Sequence, residues 1–223
     1  STGGLGGGIL NAGTLDIVSS TITLGSAGAL GGGIVSGTGS ATSLTNTLVA
    51  ENTGGANPDV AGAFTSGGFN LVGDGTGATG LTDGVAADQV GTGSDPIDPK
   101  LGELDDNGGP TQTHALLSGS SAIDQGFDDS STSDQRGFSR ASDIDLASDA
   151  VGGNGADIGA VEFQRAPLIV TTTADGGQGS LRDAIAKANA AKGDDVIVLG
   201  PGTYVLDRTG VGAETGAAGL VER

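Results

Sequence analysis

The stretch "LGGGILNAGTLDIVSSTITLGSAGA", residues 5–29, runs directly into "LGGGIVSGTGSATSLTNTLVAEN", residues 30–52. Both open on the same LGGG tetrad, 25 residues apart, and the echo continues through Ile9 and Ile34. Further along, Val18, Ser20, Thr21 and Ile22 answer Leu44, Asn46, Thr47 and Leu48 at an offset of 26, the slip that a one-residue turn insertion produces. A period of this length belongs to architectures in which each repeat buries its apolar face only by stacking on the next. The units read as strands: Leu15 and Ile17, then Ile22 and Leu24, fall on one face while Asp16, Thr21 and Thr23 fall on the other. Stacked coils would lie about 4.8 Å apart. The expected fold is therefore all-β, a right-handed parallel β-helix. Ile9 is expected on Ile34 and Ile22 on Leu48 inside it, with Ser20 and Asn46 in a polar stack. A third coil is expected in "DVAGAFTSGGFNLVGD" from Asp59, with Val60, Phe64, Phe69 and Leu71 turned inward.

Composition agrees with a thin, repetitive core. Among 223 residues there are 45 glycines, five Phe, one Tyr and no Trp, too few large side chains for an ordinary globular interior. The net charge is −18, from 27 acidic against nine basic residues, and no Lys or Arg precedes Lys100. Phosphate backbones and anionic membrane surfaces would be repelled, which argues against nucleic-acid binding and favours cations or basic partners. No apolar run approaches the roughly 18 residues of a membrane helix, so membrane insertion is not expected. Ser1 opens inside a glycine tract, so any export signal is expected to have been removed or to lie elsewhere in a longer precursor. With no cysteine there are no disulfides or thiolate metal sites.

A different pattern starts at Gly176 in "GGQGSLRDAIAKANAAKGDDVIVLGPGTYVLD". Ser180 is placed to cap a helix with Asp183 three residues on, Leu181, Ala184, Ile185 and Ala188 form one apolar face, and Gly193 supplies a stop. A short amphipathic capping helix is expected near residues 180–192, followed by strands split at Pro201-Gly202. Two domains follow: residues 1–165, the coils and closing segment of one module, and residues 166–223, the cap and first strands of another.

The repeats, together with "DNGGPTQTHALLSGSSAIDQG" from Asp106, "DQRGFSR" from Asp134 and "DIGAVEFQ" from Asp157, closely resemble the end of bacterial secreted β-helix proteins of the choice-of-anchor Q domain type. "LIVTTTADGGQGSLRDAIAKANA" from Leu168 resembles the opening of the same kind of module. The resemblance implies a right-handed parallel β-helix with a helical N-terminal cap, located outside the cell or on the bacterial surface. It also implies a permuted order, the end first and the beginning last. "ASDIDLASDAVGGNGA" from Ala141 departs from the pattern as an acidic insertion.

Candidate chemistry is sparse. "GTGATG" from Gly75 matches a dinucleotide fingerprint, but it follows no strand and opens no helix, so it reads as a turn. His114, the sole histidine, has no nucleophile beside it and reads as structural. A carbohydrate-cleaving β-helix needs paired acids at the coil spacing, yet Asp16 is expected opposite Ala41 and Glu51 opposite Gly25. Ice binding would need regular Thr-x-Thr ranks, but "TIT" at Thr21 is answered by Thr47-Leu48-Val49. No catalytic function is expected. Ca2+ is the candidate cofactor, with Asp143, Asp145 and Asp149 as alternating carboxylates, although the glycine and final Glu of an EF-hand loop are out of register. Asp134, Arg136 and Asp157 are expected to form a structural polar cluster.

The expected function is an extracellular structural or adhesive module, with a carbohydrate-binding or carbohydrate-cleaving β-helix as the alternative. Leu5, Ile9 and Leu15 at one end and Val198, Tyr204 and Val205 at the other are expected to lack a covering layer. Closure within one chain would require the segment from Gly73 to Gln164 to travel back along the solenoid, because the junction at Arg165 is too short to span several coils. The expected partner is therefore a second copy or a successive period, joined head to tail into a filament, with glycans or the cell surface as further partners.

Overall fold

The computed structural model describes residues 4–128, 131–140, 148–165, 167–190 and 195–206. They fall into two compact units, one up to Gln164 and one from Arg165 onward.

The first unit is a parallel β-solenoid. Its first coil holds β1 (Ile9–Asn11), β2 (Thr14–Val18), β3 (Thr21–Ile22) and β4 (Ser26–Ala27). The second holds β5 (Ile34–Ser36), β6 (Ala41–Thr45), β7 (Leu48–Val49) and β8 (Thr53–Gly54). The third holds β9 (Val60–Ala63), β10 (Thr65–Gly68) and β11 (Leu71–Val72), and a shorter fourth turn holds β12 (Ala78–Thr79) and β13 (Gln89–Val90). Parallel pairing stacks them into sheets ordered β1-β5-β9-β12, β2-β6-β10 and β3-β7-β11-β13.

The expected Ile9 on Ile34 register is present. After it, the slip is two residues rather than one: Thr14 pairs with Ala41, Thr21 with Leu48 and Ile22 with Val49. The extra residues sit in the turn at Gly37–Ser40, closed by Ser40 N–H donating to Gly37 O, with Gly39 at φ +80°. Because side chains alternate along a strand, this one-residue difference exchanges inside for outside. Ile22, Val49 and Val72 therefore fill the coil interior with Ile17, Ile34, Leu44, Val60 and Phe64. Leu48 and Leu71, expected inside the coils, belong to a second apolar cluster. Leu24 is exposed at a left-handed corner with φ +57°.

Another left-handed corner recurs in every coil. Register places Ser19, Asn46, Phe69 and Ala87 above one another, with φ of 45°, 48°, 57° and 60°. The next position carries the polar stack, which is Ser20–Thr47–Asn70–Asp88 and not Ser20 with Asn46. Buried Asn70 accepts from Thr47 N–H at 3.0 Å and donates to Leu44 O and to Asp88 Oδ1. The LGGG tetrads mark a close coil contact. A Cβ on Gly7 would lie 2.4 Å from Gly32 O, and one on Gly32 would lie 2.3 Å from Thr53 O.

The closing segment covers the outer face of the third sheet. An antiparallel hairpin, β14 (Leu101–Asp105) with β15 (Thr113–Leu116), leads into it. Ala122, Ile123, Ile158 and Val161 then pack on Leu48 and Leu71. Its anchors descend the solenoid: Gln89 Nε2 donates to Ser121 O, Asn46 Nδ2 donates to Asp157 O, and Ala160 N–H donates to Thr21 Oγ1. The segment thus returns from the fourth turn to the first coil. The chain therefore travels back along the solenoid before Arg165, the condition under which the short junction no longer excludes closure within one chain.

The second unit comprises β16 (Leu168–Val170), α1 (Leu181–Ala190) and β17 (Ile197–Leu199), with the strands parallel and the helix packed on both. The expected cap is present: Ser180 Oγ accepts from Asp183 N–H, and Asp183 reaches back to Gly179 N–H. Ala184 is buried and Leu181, Ile185 and Ala188 are half-buried, the face read from the sequence.

Candidate functional site

Among the described residues, the first coil has an open edge: β1, β2 and β3 are each the terminal strand of their sheets, with a ladder partner on one side only. Interior residues of the second coil, Ile34, Leu44 and Val49, are fully buried; in the first coil Ile9 on Ile34, Leu15 on Thr42 and Ile22 on Val49 are half-buried, while Ile17 on Leu44 is buried. Leu5 is 51% exposed. Unpaired backbone groups beside half-covered aliphatic side chains form a template for another parallel coil.

In the second unit, β16 and β17 form a sheet of two strands. Val198 is 42% and Val205 64% exposed, while Tyr204 is half-buried with its hydroxyl donating to Gly200 O. Ile169 and Leu199, which the sequence reasoning did not select, are also exposed. They belong to the runs "LIV" and "VIVL", where every residue is apolar and alternation gives no warning of which side is left uncovered.

Asp134, Arg136 and Asp157 do meet in one polar cluster, and Arg140 and Glu162 complete it. Arg136 pairs with Asp134 at 2.6 Å, and Arg140 pairs with Glu162 at 2.9 Å with both side chains almost wholly buried. Glu162 accepts from Asp157 N–H, and Asp157 accepts from Asp124 N–H and Phe163 N–H. Burial pushes Asp157 up to about 7, with the Asp124 and Phe163 N–H donors and Arg140 offsetting part of the rise and repulsion from Asp124 adding to it; burial pushes Glu162 up to about 9, with repulsion from Asp157 adding to the rise and Arg140 offsetting part of it. Burial also raises Asp134, but hydrogen bonds from Glu162 N–H and Arg136, with the Arg136 charge, outweigh it and hold this carboxyl below its usual range. The cluster fastens residues 134–140 to residues 157–163. Arg140 and Glu162 both lie in the quoted motifs, but nothing in the sequence distinguishes them from surface charges.

The register sets Asp74 of the third coil over Glu51 of the second, and these two line one cavity with Asp59 and Asp98, Asp59 Oδ2 accepting from Asp74 N–H. Asp16 lies opposite Ser43, not Ala41, and accepts its hydroxyl hydrogen bond. His114 sits in the hairpin with Nδ1 2.8 Å from Gly102 O. Asp149 is exposed, and Asp143 and Asp145 lie outside the described residues. Among the described residues, no group of three or more His, Asp or Glu side chains is placed to hold a metal ion. Also among them, no helix is long and apolar enough to cross a membrane. No family model, curated protein or solved structure matches the chain.

Proposed function

We propose that this chain is a structural and adhesive β-solenoid module of the bacterial cell surface or extracellular space, without catalytic activity, that lengthens by coil-on-coil association. The occupant of the first-coil edge is the β16–β17 strand pair of a second copy or of a successive module. One observation carries this: the open parallel edge at β1, β2 and β3 has a counterpart in a parallel strand pair with exposed Ile169, Val198 and Leu199. Parallel strands propagate by the same ladder in both units, so the contact is heterologous and extends without closing. The acidic charge supports a soluble fibre, and the extracellular setting rests on the family resemblance and the absence of cysteine.

Light scattering across a concentration series, with electron microscopy of the most concentrated sample, tests the proposal. Linear particles with a subunit repeat are expected. A strictly monomeric chain would overturn it, as would protection of the first-coil amides by the chain's own residues 167–206.

A further inference from the structure

The second and third coils meet the segment after the fourth turn around a cavity of about 380 Å³, with no first-coil residue in its wall. Four acids line it, Glu51, Asp59, Asp74 and Asp98, and no Lys or Arg does. Lys100, the nearest base in sequence, holds its Nζ beside Gly119 instead. Pro96 and Ile97 supply an apolar side.

The four acids differ in what they have left to offer. Asp59 is saturated: its Oδ1 accepts from Asn52 N–H and Asn52 Nδ2, and its Oδ2 from Asp74 N–H. Asn52 Nδ2, the side-chain amide donor of the wall, is spent on Ile22 O, Ala50 O and Asp59 Oδ1. Asp74 is 7% exposed; its Oδ1 accepts from Thr76 N–H, while its Oδ2 meets no donor among the described residues. That oxygen is not sealed in the interior, and a Cβ built on Gly93, another residue of the wall, would lie 3.3 Å from it. Glu51 is exposed and stands one coil, about 4.8 Å, from Asp74. Asp98 is exposed too, with Oδ1 accepting from Lys100 N–H. A largely buried carboxylate whose one free oxygen faces a cavity is where a donor from a ligand gains most.

We propose that this cavity binds a guanidinium group, held by Asp74 with Glu51 and Asp98. The open side-chain groups accept, and a guanidinium is all donor, with its N–H bonds fanned out in one plane. The carboxylates do not gather into a metal-ligating group, so a point ion is poorly served, whereas a fork of donors reaches two acids one coil apart. The face of a guanidinium is weakly hydrated and lies readily on Pro96 and Ile97, while a compact ammonium holds its water. The net charge of −18 draws cations inward. The group can belong to a small free guanidinium compound or to an arginine side chain of another protein, which share this chemistry.

Calorimetric titration of the whole chain tests this with n-propylguanidinium, n-butylammonium, calcium chloride and an acetylated Gly-Arg-Gly amide. Propylguanidinium is expected to bind more tightly than butylammonium or calcium, and to weaken as salt is added. Asp74→Asn keeps an acceptor for Thr76 N–H but sets a donor where the open oxygen stood, so it is expected to weaken binding about tenfold. Asp98→Asn changes an exposed side chain and is expected to weaken binding about threefold. It reports on the site even if Asp74→Asn unfolds. Peptide binding as strong as that of propylguanidinium assigns the site to arginine side chains, and weaker or absent peptide binding assigns it to small guanidinium compounds. Butylammonium or calcium binding as tightly as propylguanidinium overturns the proposal. So does an absence of propylguanidinium binding up to about 10 mM. Unchanged affinity in a folded Asp74→Asn, or in Asp98→Asn where the first variant unfolds, overturns it as well.

Discussion

The main-chain N–H of Ala160 donates to the hydroxyl of Thr21 at 3.0 Å, across 139 residues of sequence. This bond records that the closing segment runs the height of the solenoid and ends beside the coil where the chain began its stack. Removing the hydroxyl by Thr21→Val leaves a half-buried N–H without its acceptor, at a cost of about 1 kcal/mol. The neighbouring Gly159→Ala is expected to cost more. The new Cβ would lie 2.7 Å from Thr21 Oγ1, on a backbone at φ +113° that alanine disfavours. Urea unfolding of both variants measures this order, and equal or reversed losses would show that the anchor is not strained at Gly159.

Asn70 joins three coils through one side chain. Asn70→Leu is close in size but strands Thr47 N–H and Leu44 O in the interior, so a loss of about 3 kcal/mol is expected. Asn70→Asp keeps the acceptor for Thr47 but places a second carboxyl against Asp88. Its deficit is therefore expected to shrink when Asp88→Asn is added, which again sets one acid against one amide. An equal deficit in the double variant would assign the loss to packing.

Much of the solenoid was legible because period and alternation are properties of neighbouring residues. The LGGG tetrads, the Ile9–Ile34 pair and the Ser180 cap all follow from local spacing. The inward assignment held at Ile22 and failed at Leu48, and it failed for a local reason too. "SGTGSATSLTNT" contains interchangeable small residues, so an offset of 26 matches its letters as well as the true 27, and only core packing separates them. The return of the closing segment had no periodic signal, since its contacts join residues over a hundred positions apart. The buried Arg140–Glu162 pair was hidden because burial, not identity, gives those charges their role. Of the acidic insertion, only the exposed Asp149 among the proposed calcium ligands falls within the described residues.

The charge cluster sets the pH dependence. Asp157 and Glu162 have folded values raised to about 7 and about 9, above those of an unfolded chain near 4. Their contribution to stability is complete below pH 4 and declines as pH rises through 7 and then 9. Asp134, held low, acts in the opposite sense: its contribution is present above pH 4 and is lost as pH falls further. The melting temperature is therefore expected to fall both on strong acidification and between pH 6 and 9.5. A flat alkaline limb would show that Arg140 keeps both buried carboxylates ionised.

The open edge makes the most direct claim about function. An inward-facing charge on a terminal strand is a natural block to further pairing, and a lysine can carry its ammonium past the rim to water while its stem stays packed. Leu15→Lys, on β2 beneath no further coil, is expected to remain folded and to stop assembly from one end. Val198→Lys, on β17, is expected to stop it from the other. Mixed together, the two variants each retain one intact surface of opposite kind. They should therefore form pairs and go no further, whereas either variant alone stays monomeric and the unmodified chain lengthens. Light scattering of the three samples at equal total concentration reads this directly. Filaments from either variant alone would show that the first coil and the β16–β17 pair are not the two halves of the contact.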